Sequence, residues 1–156
     1  MDRERVRELL DRYGDDVFRL AMSYLGNRAD AEDVTQNVFL SALSTKYEPM
    51  PNKEKAWLFT CTANACKDHL KSFWRKNVGE LDETIVFTDK ADQTLYEAVM
   101  KLPPKYRAVI HLYYFEGYDQ SEIGAILHLS RTAVQTRMSR AREMLKKELT
   151  CDEGAL

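Results

Sequence analysis

FEGYDQSEIGAILHLSRTAVQTRMSRAREMLKKEL, residues 115–149, decides how the rest of the chain is read. A short helix, a turn and a longer basic helix follow one another, the sequence form of a helix-turn-helix. Val134, Met138, Ala141 and Leu145 recur at steps of four, three and four, so they line one apolar stripe of the second helix. Thr132, Gln135, Thr136, Ser139 and Arg140 point away from that stripe. An apolar stripe needs a core, and a polar face near the start of a helix suits the reading of base edges. Asp119 and Glu122 have the form of a capping box, and Ser130 is placed to cap the second helix by accepting backbone N–H groups near Ala133. Ile123, Ile126 and Leu127 form the apolar side of the first helix. The turn at His128-Leu129 calls for a positive φ, which His tolerates at some cost.

Working outward, the whole chain reads as helical. Val6, Leu9, Leu10, Tyr13, Val17, Leu20 and Ala21 repeat at helical spacing up to a break at Gly26-Asn27. Asp30 is the expected N-cap of the next helix, with Glu32 and Asp33 at its positive end and Val34, Val38 and Ala42 on its apolar side. Residues 44–52, STKYEPMPN, are a loop, because two prolines prevent regular structure. Asn52 is the expected cap of a third helix, which turns Trp57, Leu58, Cys61 and Ala65 toward a core and ends near Phe73-Trp74. Residues 77–92 are polar and acidic, with Ile85-Val86-Phe87 an apolar interruption. Periodicity returns from Gln93 through Leu95, Val99 and Leu102. Pro104 suits the first turn of a helix containing Tyr106, Val109, Ile110, Leu112 and Tyr113, with Gly117 as its stop. The expected fold is all-α: two small helical domains, 1–76 and 93–150, joined by a flexible acidic linker, 77–92.

Composition narrows the function. The 156 residues are 44% hydrophobic with six Gly and four Pro, as in a folded helical protein. No apolar run is long enough to span a bilayer, and Arg3, Arg5 and Arg7 are not followed by a secretory apolar core, so no membrane insertion and a cytoplasmic location are expected. Three cysteines, an odd number, argue against a disulfide framework. Cys61, Cys66 and His69 do not complete a tetrahedral set, and His111 and His128 lie elsewhere, so no metal and no cofactor are expected. Without a Ser/His/acid set, a Gly-rich phosphate loop or a paired His-Glu motif, no enzyme is expected.

The net charge of −2 hides segregation. Residues 1–48 hold seven Lys/Arg and ten Asp/Glu, 53–76 six and two, 77–100 one and six, and 101–150 nine and five. Two basic segments separated by an acidic one suggest two sites for a polyanion.

Three ordered segments resemble one family. LPPKYRAVIHLYYFEGYDQSEIGAILHLSRTAVQTRMSRAREML (102–145) resembles the promoter-binding region four of bacterial extracytoplasmic-function sigma factors, of the sigma-70 type. YLGNRADAEDVTQNVFLSAL (24–43) resembles their polymerase-binding segment, and KAWLFTCTANACKDHLKSFWRK (55–76) the helix that opens and reads the melted promoter. Against the family pattern, His128 replaces the usual turn Gly, Ala63 stands where an Arg commonly precedes Asn64, and Gln135 stands where a basic residue is frequent.

The resemblance implies a subunit that lends core RNA polymerase its promoter specificity. It places Asp30, Glu32, Asp33 and Gln36 against the polymerase clamp, where charge complementarity speeds docking. It places Lys53, Lys55, Asn64, Lys67, Asp68, Lys71, Arg75 and Lys76 on the minus-ten element, with loop 44–52 capturing an extruded base and Tyr47 as a candidate wall. Phe73 and Trp74 are further stacking candidates. Arg131, Thr132, Gln135 and Thr136 become the base readers of the minus-thirty-five element, with Arg137, Ser139, Arg140 and Arg142 on phosphates. Partners implied are core RNA polymerase, promoter DNA and an anti-sigma factor. Two other classes compete. A stand-alone regulator explains residues 93–149 but not the basic helix at 53–76, and a helical protein-interaction module needs no base-reading face.

Overall fold

Helix α1 (Arg3–Leu25) begins where the Asp2 carboxylate accepts the Arg5 amide at 2.8 Å, and it ends at Gly26, whose φ of 66° suits a residue without a side chain. The computed structural model describes residues 1–76 and 90–154, with side chains over 1–72 and 95–150. The chain divides into two units, one containing the first three helices and the other the remaining helices.

Helix α2 (Arg28–Ser44) corrects the expected cap. Asn27 is the N-cap, accepting the Asp30 amide at 3.0 Å, and Asp30 is already the third helical residue. An amide oxygen directly after the break at Gly26 can cap at once, so the helix starts three residues early. Asn52 does not cap α3 (Glu54–Lys76) either. It lies in a left-handed turn with φ of 74°, and the Lys53 carbonyl accepts the first helical bond, from the Trp57 amide at 3.0 Å.

Leu9, Val17, Leu20 and Ala21 of α1 meet Ala31, Val34, Val38 and Phe39 of α2 and Leu58, Phe59, Thr62 and Cys66 of α3. Each large apolar side chain buried here stabilises by roughly 1.5–3 kcal/mol. Trp57, Cys61 and Ala65, expected in this core, are only half-buried, and Leu10 is exposed. Packing α3 against both α1 and α2 rotates residues 58, 59, 62, 63 and 66 inward and leaves 57, 61 and 65 on the rim.

In the second unit α4 (Lys90–Met100) starts three residues before the expected helix, so residues 90–92 are helical rather than linker. Its Leu95 is exposed. Pro104 opens α5 (Pro104–Ile110), which continues into a π-helical turn, His111–Phe115, closed by the Glu116 amide donating to the His111 carbonyl. Gly117 follows at φ 77°. The wider turn keeps Leu112 fully buried but directs Tyr114 and Phe115 outward, each about 60% exposed. Arg107 is buried, and its Nη1 donates to the carbonyls of Met100 at 3.1 Å and Leu102 at 3.0 Å, closing the end of α4. Burial lowers its guanidinium pKa to about 10, and it remains charged at neutral pH.

Helices α6 (Gln120–Leu127) and α7 (Arg131–Gly154) form the helix-turn-helix. Val134, Met138 and Ala141 are fully buried beside Ile123, Ile126 and Leu127, as the spacing predicts. Leu145 is half-buried. Among the described residues every regular element is helical, in keeping with the all-α expectation. Residues 77–89, with Ile85-Val86-Phe87, lie outside the described residues, as do the side chains of Phe73, Trp74, Arg75, Lys76 and Cys151 and the last two residues of the tail.

Candidate functional site

Three exposed surfaces carry the residues singled out above. The first is the outer face of α7. The Asp119–Glu122 capping box is formed in both directions, at 2.8 and 3.1 Å, and fixes the start of α6. His128 adopts the left-handed conformation, φ 56°, and lets α6 end and α7 begin within three residues. The Leu129 carbonyl then lies so near Gly124 that an added Cβ would stand 2.6 Å from it. Ser130 Oγ accepts the Ala133 amide at 3.1 Å, as expected. These local contacts aim the N-terminus of α7, which has no acidic residue in its first turn, outward as a positive helix end.

On α7, Thr132, Gln135, Thr136 and Ser139 share one exposed face opposite the buried stripe, flanked by exposed Arg131, Arg140 and Arg142. The Thr136 hydroxyl donates to the Thr132 carbonyl at 3.0 Å, which leaves its oxygen able to accept. Arg137 differs. It is half-buried and sits at the edge of the packed stripe, away from the reading face. Arg142 is also held: its Nε donates to the Tyr114 hydroxyl at 2.9 Å, and its guanidinium lies 5.7 and 5.8 Å from the rings of Tyr113 and Tyr114. The π turn supplies both rings, a contact with no signature in the local spacing.

The second surface is α3 with the loop before it. Asn64, Asp68 and Lys71 lie on one exposed stripe, with half-buried Lys67 alongside. Lys55 does not join them. It lies nine positions before Asn64, half a turn away, with its Nζ 4.0 Å from Asp16 and 5.6 Å from the Phe59 ring. Lys53 is exposed in the turn before the helix. In the loop, the exposed Tyr47 ring stands 5.8 Å from Trp57 at 36°, and the Tyr47 amide donates to Thr45 Oγ1 at 3.3 Å. Beside this pair runs an open groove of about 310 Å³, lined by Asn37, Ser41, Thr45, Trp57, Cys61 and Ala65 among others. Aromatic faces beside amide and hydroxyl groups suit an unpaired base. Burial raises the Cys61 thiol pKa and pushes that of Cys66 up to about 12, so both free thiols stay protonated at neutral pH.

The third surface is α2. Asp33 and Gln36 are exposed on one stripe with Asn37 and Leu40, and Leu40 is 60% exposed. Glu32 pairs with Arg28 at 3.2 Å, and Asp30 faces His69 Nε2 at 3.5 Å. The stripe therefore combines acids with one large apolar side chain. Sequence reading singled out the acids and missed Leu40 and Asn37, although both lie at helical spacing from Asp33.

Residues 9–76 match Sigma-70 region 2, and residues 92–145 match Sigma-70, region 4. RNA polymerase sigma factor SigV of Bacillus subtilis is 34% identical over 146 residues, spanning 88% of this chain and 87% of that protein. ECF RNA polymerase sigma factor SigW of the same organism is 29% identical over 169 residues, spanning 95% and 90%. Among solved structures, CnrH in complex with the cytosolic domain of CnrY is similar with a TM-score of 0.69 at 29% identity, over 97% of this chain and 91% of that one. The sigma factor RpoE in complex with the anti-sigma factor NepR from Bartonella quintana shares the fold, with a TM-score of 0.77 at 22% identity over 94% and 97%.

Proposed function

We infer what each surface does from one fact: the chain belongs to the sigma-70 family, in its extracytoplasmic-function branch. It directs promoter-specific initiation by core RNA polymerase. The chemistry of RNA synthesis belongs to the polymerase, and this chain contributes recognition, working in the cytoplasm where that enzyme and the DNA are found.

Residues 1–76 act as region two and 90–150 as region four, with the acidic stretch 77–89 joining them. On α2, Asp33, Gln36 and Leu40 meet the polymerase clamp, with Asp30 and Glu32 adding charge at the helix start. An apolar anchor inside a polar stripe is the arrangement that carries binding energy in interfaces. On α3, Asn64, Asp68 and Lys71 read and track the melted minus-ten strand, joined by Lys53, Lys67 and Arg75, and an extruded base lodges beside Tyr47 and Trp57. Lys55 serves α1 through Asp16 rather than DNA. On α7, Gln135 with Thr132, Thr136 and Arg131 reads the minus-thirty-five element in the major groove, and Arg140, Arg142 and Ser139 grip phosphates. Arg137 is too involved in packing to share that role. An anti-sigma factor covering the α2 surface fits the same pattern of exposed acids and Leu40.

The observation that carries this reading is the union, in one chain, of a helix-turn-helix with an exposed reading face and a second basic helix with an exposed polar stripe beside a shaped loop. Transcription from pooled genomic DNA with purified chain and bacterial core polymerase tests it. New start sites sharing two upstream elements are expected. Tight duplex binding by the chain alone, without initiation, would instead indicate a stand-alone regulator.

A further inference from the structure

Arg5 of α1 joins three segments of the N-terminal unit. Its Nε donates to Glu48 Oε1 at 2.8 Å, in the middle of the loop between α2 and α3. Its Nη2 lies 2.9 Å from Glu54 Oε2, on the first residue of α3, and its Nη1 lies 3.4 Å from Glu8 on its own helix. Glu54 is buried, and its Oε2 is shut off from solvent, so the Arg5 guanidinium is the counter-charge that makes its burial tolerable. Glu48 is more than half exposed, so packing does little to hold its side chain. The two carboxylates raise the guanidinium pKa above its ordinary value, the Glu48 hydrogen bond most of all.

The loop needs such a hold. Its own backbone bonds are few: the Thr45 amide to the Ala42 carbonyl, and the Lys53 amide to that of Met50. Asn52 is in the left-handed conformation. Glu48 stands between exposed Tyr47 and buried Pro49, so fixing its carboxylate fixes where the Tyr47 ring meets Trp57. A planar guanidinium holds two carboxylates at set angles, which an ammonium cannot.

We propose that Arg5 is a positioning residue for base selection: through Glu48 and Glu54 it clamps loop 45–53 to α1 and α3, and so shapes the Tyr47–Trp57 wall against which the extruded minus-ten base is read. The proposal rests on the function assigned above to that loop. Arg5 touches no DNA in this arrangement, and a residue far from the loop in sequence tunes its selectivity.

Glu48→Ala is the decisive variant, since Arg5→Ala would leave Glu54 buried without a counter-charge and could fail to fold. Two readouts separate the clamp from the reading it rests on. In hydrogen exchange of the full chain, Glu48→Ala should speed the hydrogen-bonded loop amides of residues 45, 47 and 53 by about tenfold and leave those of α7 unchanged. In holoenzyme transcription it should lower discrimination at one non-template position of the minus-ten element about fivefold, with discrimination at the minus-thirty-five element intact. Arg5→Lys should lie between wild type and Glu48→Ala in both. Unchanged loop exchange would overturn the clamp whatever the chain does. Faster exchange with undiminished base discrimination would overturn its role in selection. If the wild-type chain discriminated at no minus-ten position, the functional reading of the loop would fail, and the exchange result would still decide whether the clamp exists.

Discussion

At Gly124 the sign of a single substitution reports the shape of the helix-turn-helix. Gly to Ala within a helix ordinarily stabilises by roughly 0.4–1 kcal/mol, because the unfolded chain loses freedom. Here the added Cβ would stand 2.6 Å from the Leu129 carbonyl, a backbone atom held by the turn at His128. Gly124→Ala should therefore destabilise by about 1–3 kcal/mol, as overpacking does. Thermal unfolding followed by circular dichroism checks this, and an equal or higher melting temperature would contradict it. Cys66 gives a second test. With its thiol pushed from 9.0 to about 12 by burial, its thiolate fraction at pH 8 is roughly a thousandfold below that of the unfolded chain. Alkylation with iodoacetamide and peptide mapping should find Cys66 protected until denaturant is added. The folded-state pKa is raised, so this group's contribution to stability is complete below pH 9 and is lost as pH climbs from 9 toward 12. The residue-scale signals that were legible were local ones: the capping box, the Ser130 cap and the strain at His128. The roles of Arg107 and Arg5 were not legible, because their partners are set by helix packing and, for Arg5, lie more than 40 residues away.

Among the elements, α2 and α3 show what periodicity can and cannot supply. The existence and order of the helices followed from apolar spacing and from the prolines. The rotation of α3 did not: a helix packed against two neighbours buries a wide arc, and the spacing that turned Trp57 toward the core passed over Phe59. Phe59 is buried and Trp57 lies at the rim. The acids of α2 were legible as a helix start, while Leu40, at helical spacing from Asp33, was not singled out. Its exposure leads to a prediction. Leu40→Asp should alter the stability of the free chain by no more than about 0.5 kcal/mol, as exposed sites do. It should weaken binding to core polymerase by about 1–3 kcal/mol, an anchor-sized loss. Fluorescence anisotropy of labelled chain titrated with core polymerase measures it, and wild-type affinity would remove Leu40 from the interface.

For the molecule as a whole, segregated charge matters more than the net of −2. In the proposed function, acids on α2 meet a protein partner while basic side chains on α3 and α7 meet a polyanion, and the two signs lie on separate helices. The holoenzyme–promoter complex should then show two separable effects. Arg140→Ala should reduce the slope of log K against log salt by about one, equally for all promoters. Gln135→Ala should leave that slope alone and cost about 1–3 kcal/mol at one minus-thirty-five base pair. Binding measured over a salt series on matched promoter variants distinguishes them. If both changes moved the slope alike, Gln135 would be a backbone contact. By itself the sequence determined the helical class, the helix-turn-helix with its cap and exposed polar face, and the charge pattern, because these depend on neighbours within a turn or two of helix. Tertiary structure alone decided which face of α3 is buried, that Leu40 is exposed, that Lys55 turns to Asp16, that Arg142 is held by the π-turn tyrosines, and that Arg5 reaches the loop before α3. Those outcomes depend on which helices pack together and at what rotation, and no periodicity within a single segment encodes that.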